Sequence, residues 1–278
     1  MLKMSKNRTL TLDQQTSLRQ GNTMANISPI ATFLGGFASH RASCQWASFD
    51  ASGGISSGPY RYGNVSLKVG DAPFNVEWNR ERIQESLEAH CLLSAGQVHG
   101  EKIYSLTKPI KTSLEVEGYD SLITNQTGVA LMIQQADCQA ILLFDPEQAV
   151  IAAVHVGWRG NVSNLIGKTI EEMTKTFHSA SRDIQAFISP SLGPCCAEFS
   201  NYRDEFPTEF QEFMAQESHF NLWKISEKQL TDAGLQRKNI SLAEICTSCH
   251  DNYFSYRRAC RTGDGTTGRN CSAIVLER

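Results

Sequence analysis

Three short apolar runs rich in β-branched residues follow one another in the middle of the chain, at 129–133, 140–144 and 150–156. Runs of this length with no polar face read as buried strands rather than amphipathic helices. Asp145-Pro146 is a turn between the second and third. A helix is expected over 75–90, where Val76, Ile83 and Leu87 stand among charges and Asn75 is a suitable N-cap. Another is expected over 161–178, where Leu165, Ile166, Ile170, Met173 and Phe177 keep helical spacing. Further helical segments are expected at 204–216 and 222–234, with strands at 102–106, 184–188 and 272–276. Adjacent strands mixed with helices favour an α+β fold over a regular βαβ alternation.

Histidine and cysteine fall at the ends of these elements. Gln97-Val98-His99-Gly100, Ala136-Asp137-Cys138 and His155-Val156-Gly157-Trp158-Arg159-Gly160 each carry one metal-ligand type beside a Gly, an Asp or a strand end. Two imidazoles and a thiolate suit zinc, and three protein ligands leave a fourth position for water or substrate. Singly, each has a bland reading: a hydrogen-bonded histidine, or a cysteine used as a small apolar residue. Together they make His99, Cys138 and His155 a candidate catalytic metal site, with Asp137 as a supporting acceptor or base.

Composition limits what such a site serves. The 278 residues are long enough to bury a substantial core. A net charge of −3 gives no electrostatic case for nucleic acid or an anionic membrane. No apolar run approaches the roughly 20 residues of a membrane helix. Residues 1–27 are polar and read as a disordered tail without a signal peptide's apolar segment, and Met24 is a candidate second start. The nine cysteines are an odd number, and they read as cytosolic thiols or ligands rather than a disulfide framework. No linker divides 28–278, which is taken as a single unit in the cytoplasm.

Two motifs weaken on inspection. Cys246-Thr-Ser-Cys249-His250 matches a haem attachment pattern, yet haem attachment belongs to exported proteins. A zinc ribbon needs a second close Cys pair, and Cys260 and Cys271 do not make one. These thiols are therefore read as structural. Gly263-Asp-Gly265-Thr-Thr-Gly268 spells a dinucleotide fingerprint, but too little chain follows it for a βαβ unit. By contrast, Tyr253-Phe-Ser-Tyr-Arg257-Arg258 with Arg261 and Arg269 joins aromatic rings to guanidinium groups that grip phosphate. If that segment is extended, Arg257 and Arg258 leave on opposite faces. Arg258 is then the favoured anion contact, with Arg159 at a helix start second.

At this point the motifs resemble those of the YfiH/YlmD family, long described as laccase-like polyphenol oxidases and now understood as purine nucleoside phosphorylases. The shared segments are Gly53-Gly-Ile-Ser-Ser-Gly-Pro-Tyr60, Asn64, Val69-Gly-Asp71, Asn79-Arg80, Gln97-Val-His-Gly100 and 120–124. They continue with Ala136-Asp-Cys138, Val154-His-Val-Gly-Trp-Arg-Gly160, Gly193-Pro-Cys-Cys196, Cys246-Thr, Phe254-Ser-Tyr-Arg-Arg258 and Thr267-Gly-Arg269. The resemblance implies a layered α/β/β/α sandwich with mixed sheets and a zinc site at His99, Cys138 and His155, with copper as the alternative metal. It adds Asn64 and Gln97 to Arg159, Arg257 and Arg258 as candidate substrate contacts. Ala51 stands where the family usually has Arg, Gln139-Ala140 replaces its Leu-Pro, and the stretch over 259–266 is longer.

The implied activity is zinc-dependent phosphorolysis of adenosine, inosine and S-methyl-5′-thioadenosine, with adenosine deamination as a second activity. The expected partners are small purine nucleosides and phosphate. The alternatives are a copper-dependent polyphenol oxidase, an enzyme editing peptidoglycan precursors, and a non-catalytic zinc-binding module. A laccase needs further clustered histidines, and only seven are present in the chain. A structural zinc protein wants a fourth ligand and a closed site.

Overall fold

The computed structural model describes residues 31–277, so the tail expected over 1–27 lies outside the described residues. Two six-stranded mixed sheets form the body. The first runs β1 (Ala31–Ala38), β2 (Ser43–Phe49), β14 (Asn270–Leu276), β7 (Val129–Gln135), β3 (Cys91–Gly96) and β5 (Leu114–Glu117). The second runs β13 (Ile240–Leu242), β10 (Gln185–Ile188), β8 (Gln139–Asp145), β9 (Val150–Val156), β6 (Ser121–Thr124) and β4 (Ile103–Leu106). A small hairpin of β11 (Met214–Gln216) and β12 (His219–Phe220) stands apart. The three central runs are β7, β8 and β9, and the chain changes sheets between β7 and β8.

The uniform hydrophobicity of those runs has a direct cause: both faces of each are covered. Strand side chains alternate. Leu131, Trp46 and Ile274 of the first sheet meet Leu142, Phe144, Ala153 and Phe187 of the second in one core cluster. Trp46 and Phe187 stack with ring centroids 3.9 Å apart. The alternate residues Ala130, Met132 and Val275 face Ile83 of α1 (Pro73–Ser86) and the adjoining Leu87. On the other side, Ile141, Leu143, Ala152 and Val154 meet Leu165, Ile166, Ile170 and Met173 of α3 (Leu165–Phe177) and Leu230 of α5 (Leu222–Asp232). The result is an α+β sandwich layered helix, sheet, sheet, helices.

Several boundaries differ from the sequence expectation. Helix α1 begins at Pro73 after Ala72, so Asn75 lies inside its first turn and caps nothing. Proline is pre-set for that first position and needs no N–H there. The helix expected over 161–178 is two: α2 (Trp158–Val162) and α3, divided at Asn164. Asn164 takes φ 50° and its side chain accepts from Gly167 N, starting a new helix in a new direction. The segment 204–216 is not one helix. It is α4 (Tyr202–Glu205), a 3₁₀ turn over Thr208–Phe213, and β11. Pro207 drives Phe206 to φ −112°, ψ 141° and stops the helix. Strands β1, β2, β3, β5, β6, β12 and β13 carried no expectation. No described helix is long and apolar enough to cross a membrane.

Candidate active site and metal centre

The three ligand candidates converge where the chain crosses from one sheet to the other. Cys138 lies in the β7–β8 connection, His99 follows β3, and His155 is the penultimate residue of β9. β3 and β7 run parallel, so their C-terminal ends lie side by side. β8 starts opposite the end of β9, with Gln139 paired to Val156. Ligand atoms of His99, Cys138 and His155 all lie within 4.8 Å of one another. His99 Nε2 is 3.7 Å from Cys138 Sγ, and the two imidazoles meet edge-on with centroids 4.8 Å apart.

The backbone is bent to make this possible. His99 takes φ 58° and Asp137 φ 85°, both in the left-handed region that non-glycine residues rarely occupy. His99 is held there by Asp120, whose carboxylate accepts the backbone N–H groups of Val98, His99 and Gly100. Asp137 is fixed by three bonds. Its carbonyl accepts Leu192 N at 2.8 Å, and its carboxylate accepts Thr247 Oγ1 at 2.7 Å and Arg257 N at 2.6 Å. Gly157 packs against the ligands: a Cβ there would lie 3.0 Å from Cys138 Sγ and 3.2 Å from His99 Cδ2.

Asp120 also takes the imidazole. His155 Nδ1 is 2.8 Å from Asp120 Oδ1, which turns Nε2 toward the cleft. The supporting role expected of Asp137 therefore belongs, for histidine, to Asp120. Its signal in the sequence was a carboxylate at the mouth of a fully buried strand, 121–124. Burial pushes the Asp120 carboxyl up, but His155 and the N–H groups of Gly100 and Val98 outweigh it and hold the carboxyl below its ordinary value. Burial likewise raises the Cys138 thiol, yet the charge and hydrogen bond of His155, then those of His99, draw it down to about 6. His155 moves the other way: burial lowers it, and Cys138 and Asp120 together raise it. A thiol and two imidazoles are a soft-to-borderline donor set, in which a divalent cation would take the place of the shared proton. The residues fit a three-coordinate protein site for zinc.

The ligands open into a cleft of about 670 Å³. Gln97, Gln134, Asp137, Trp158, Arg159, Phe199, Tyr256, Arg257 and Arg269 contribute to its walls. Gln97 spends its amide on the backbone of Gln134, accepting its N–H at 2.8 Å and donating to its carbonyl at 2.7 Å. The Arg159 guanidinium lies 4.2 Å from the centre of the Trp158 ring.

Two of the expected substrate contacts are elsewhere. Asn64 is fully buried and bonds Asp71, both backbone groups of Ser66 and the N–H of Arg269, so it braces the chain and does not line this cleft. Arg258, favoured over Arg257, turns away. Its guanidinium donates to the carbonyls of Thr247, Ser248, His250 and Tyr253. The cause is local: the segment is helical, as α6 (Tyr256–Thr262), so neighbours are not on opposite faces. Ser255 caps that helix by accepting Arg258 N, and Arg257 is the residue that reaches the cleft. Arg257 is steadied by the carbonyls of Cys196 and Glu198, both at 2.9 Å. Arg269, expected as one of the C-terminal guanidinium groups, joins it in the cleft wall from just before β14.

Comparison with known proteins identifies the family and the fold. The family model described as multi-copper polyphenol oxidoreductase laccase matches residues 45–277. The purine nucleoside phosphorylase YlmD of Geobacillus stearothermophilus is 32% identical over 240 residues, covering 80% of this chain and 86% of that protein. A purine nucleoside phosphorylase of Bacteroides thetaiotaomicron is 29% identical, covering 81% and 89%. Among solved structures, the hypothetical protein YfiH of Bacillus licheniformis superposes with a TM-score of 0.77 at 26% identity, covering 84% of this chain and 93% of that one. YlmD of Geobacillus stearothermophilus gives 0.74 at 30% identity, with 86% and 93% covered. Within the described residues, only one of the groups of His, Cys, Asp and Glu side chains close enough to share an ion contains histidine. Among the described residues there is thus no second histidine-containing group for the trinuclear copper site of a laccase. The chain belongs to the multi-copper polyphenol oxidoreductase laccase family, whose YlmD and YfiH relatives bear the name purine nucleoside phosphorylase.

Proposed function

We propose that this protein is a zinc-dependent purine nucleoside phosphorylase in the cytoplasm, acting on adenosine, inosine and S-methyl-5′-thioadenosine through one catalytic unit spanning 28–278. The observation that carries the reading is one cleft that joins a His-His-Cys donor set to aromatic walls and to Arg159, Arg257 and Arg269. His99, Cys138 and His155 hold the ion, which when bound supplies Lewis acidity. Trp158, Phe199 and Tyr256 offer ring faces to a purine. Arg257 and Arg269 bind and orient phosphate, so that one of its oxygens attacks the anomeric carbon as the bond to the base nitrogen breaks. The base leaves with the bonding pair and takes a proton, and the sugar leaves as its 1-phosphate. Asp137, by binding the N–H of Arg257, sets where that guanidinium stands.

Deamination of adenosine is proposed as a second reaction of the same cleft, since it needs the ion and the purine wall but no phosphate. The test is base release from inosine and from S-methyl-5′-thioadenosine by the zinc-loaded protein. Release that requires phosphate and yields the sugar 1-phosphate is the expected result. Phosphate-independent release, or none, overturns it. Inosine formed from adenosine without phosphate reports the second activity. Oxygen uptake with phenols after copper loading would favour the oxidase reading instead.

A further inference from the structure

We propose a second metal site, a single zinc ion held by Cys195, Cys196, Cys246 and Cys249, that is separate from the His-His-Cys centre. Thiols read from the sequence as merely structural come together here from two distant segments. The missing second pair is the adjacent Cys195-Cys196, which no ribbon spacing would reveal. All four sulfurs lie within 4.8 Å of one another. Cys249 Sγ is 3.5 Å from Cys195 Sγ and 3.5 Å from Cys196 Sγ. A tetrahedral site with Zn–S bonds of about 2.3 Å sets its sulfurs roughly 3.8 Å apart, so one ion fits and a multinuclear cluster does not.

The surroundings are built to hold that shape. Ser191 and Cys246 form a parallel bridge, with Ser191 N donating to Ile245 O and Thr247 N to Ser191 O, both at 3.0 Å. Each cysteine pair sits on a turn closed by its own backbone: Cys196 N to Gly193 O at 2.9 Å, and Cys249 N to Cys246 O at 3.1 Å. Gly193 is needed for the approach, since a Cβ there would come within 2.9 Å of Cys246 Cβ and of the Trp223 ring. Four thiolates around a divalent ion leave a net charge of −2. Guanidinium groups ring the turns: Arg257 on Cys196 O, Arg258 on the carbonyls of Thr247 and Ser248, and Arg261 near Ser248 Oγ. The ion would pin the two turns that position Arg257 and Asp137, and its role is structural.

Zinc per chain, measured by elemental analysis on reduced protein loaded with zinc and desalted, tests this. Two equivalents are expected in the wild type, one in C195S/C249S and one in H99A/H155A. Cobalt added to H99A/H155A, in which the cysteine cluster is intact, should give the strong sulfur-to-cobalt absorption of a tetrathiolate site. A single equivalent in the wild type that C195S/C249S keeps, two in C195S/C249S, or no such absorption in folded H99A/H155A would overturn the proposal. So would an intact mass two hydrogens lighter, with a Cys195–Cys249 or Cys196–Cys249 disulfide mapped in protein purified without oxidant.

Discussion

Asp120 binds the side chain of His155 and the backbone of His99 with the same carboxylate oxygen, Oδ1, at 2.8 and 2.9 Å. One buried carboxylate thus orients one imidazole and fixes the loop that carries the other. Removing it frees both. D120A should lower zinc affinity at the His-His-Cys centre by about 10- to 100-fold. Competition with a chromophoric chelator measures this, and an unchanged affinity would show that Asp120 does not organise the ligands.

Gly157 offers a test of crowding alone. Its φ of −82° is open to any residue, so alanine adds only a methyl group. That methyl would press on Cys138 Sγ and the His99 ring. G157A should keep its thermal stability to within a few degrees and still bind zinc less tightly than wild type. Equal affinity in the two proteins would mean the ligands have room to spare.

Neighbouring arginines should separate cleanly. R257A removes a charge-assisted contact expected to contribute about 1.5–3 kcal/mol, which is roughly a ten- to hundredfold loss in kcat/KM for phosphate. R258A strips several carbonyls of their donor and should act mainly on the melting temperature. Phosphate titrations at fixed inosine distinguish the two. A larger phosphate defect in R258A would reverse the assignment.

Stability should carry an acid limb from Glu115. Burial pushes this carboxyl up, but the Arg80 guanidinium at 2.7 Å and the Ser94 hydroxyl hold it below its ordinary value. A carboxyl lowered on folding stabilises above its unfolded value and loses that contribution as pH falls through the folded one. Denaturant unfolding of wild type and E115Q should therefore differ most near neutrality and converge in acid. A gap constant with pH would assign the difference to packing.

Much of the sandwich is legible in the sequence because its central strands are buried on both faces. Residues 129–133, 140–144 and 150–156 have nowhere to put a polar side chain, so their pattern is unbroken and their ends fall close to the observed strands. Strand β1 is the contrary case. Its residues 33–38 alternate between half-buried and exposed at the sheet edge, and Gly35-Gly36 adds no strand signal. Strand β3 is buried throughout, but Ser94, Ala95 and Gly96 give it little β-branched character.

The chain itself determined which chemistry was available: two imidazoles and a thiol at strand ends, and arginines concentrated near its C-terminus. Tertiary structure decided which of them meet. Strand pairing across two sheets set His99, Cys138 and His155 around one point, and it recruited Asp120 from a strand mouth with no ligand-like spacing. Helical rather than extended backbone at 256–262 sent Arg257 into the cleft and Arg258 onto carbonyls. The four distant cysteines came together for the same reason, because contacts between residues far apart in the chain depend on sheet order and register, and local sequence spacing encodes neither.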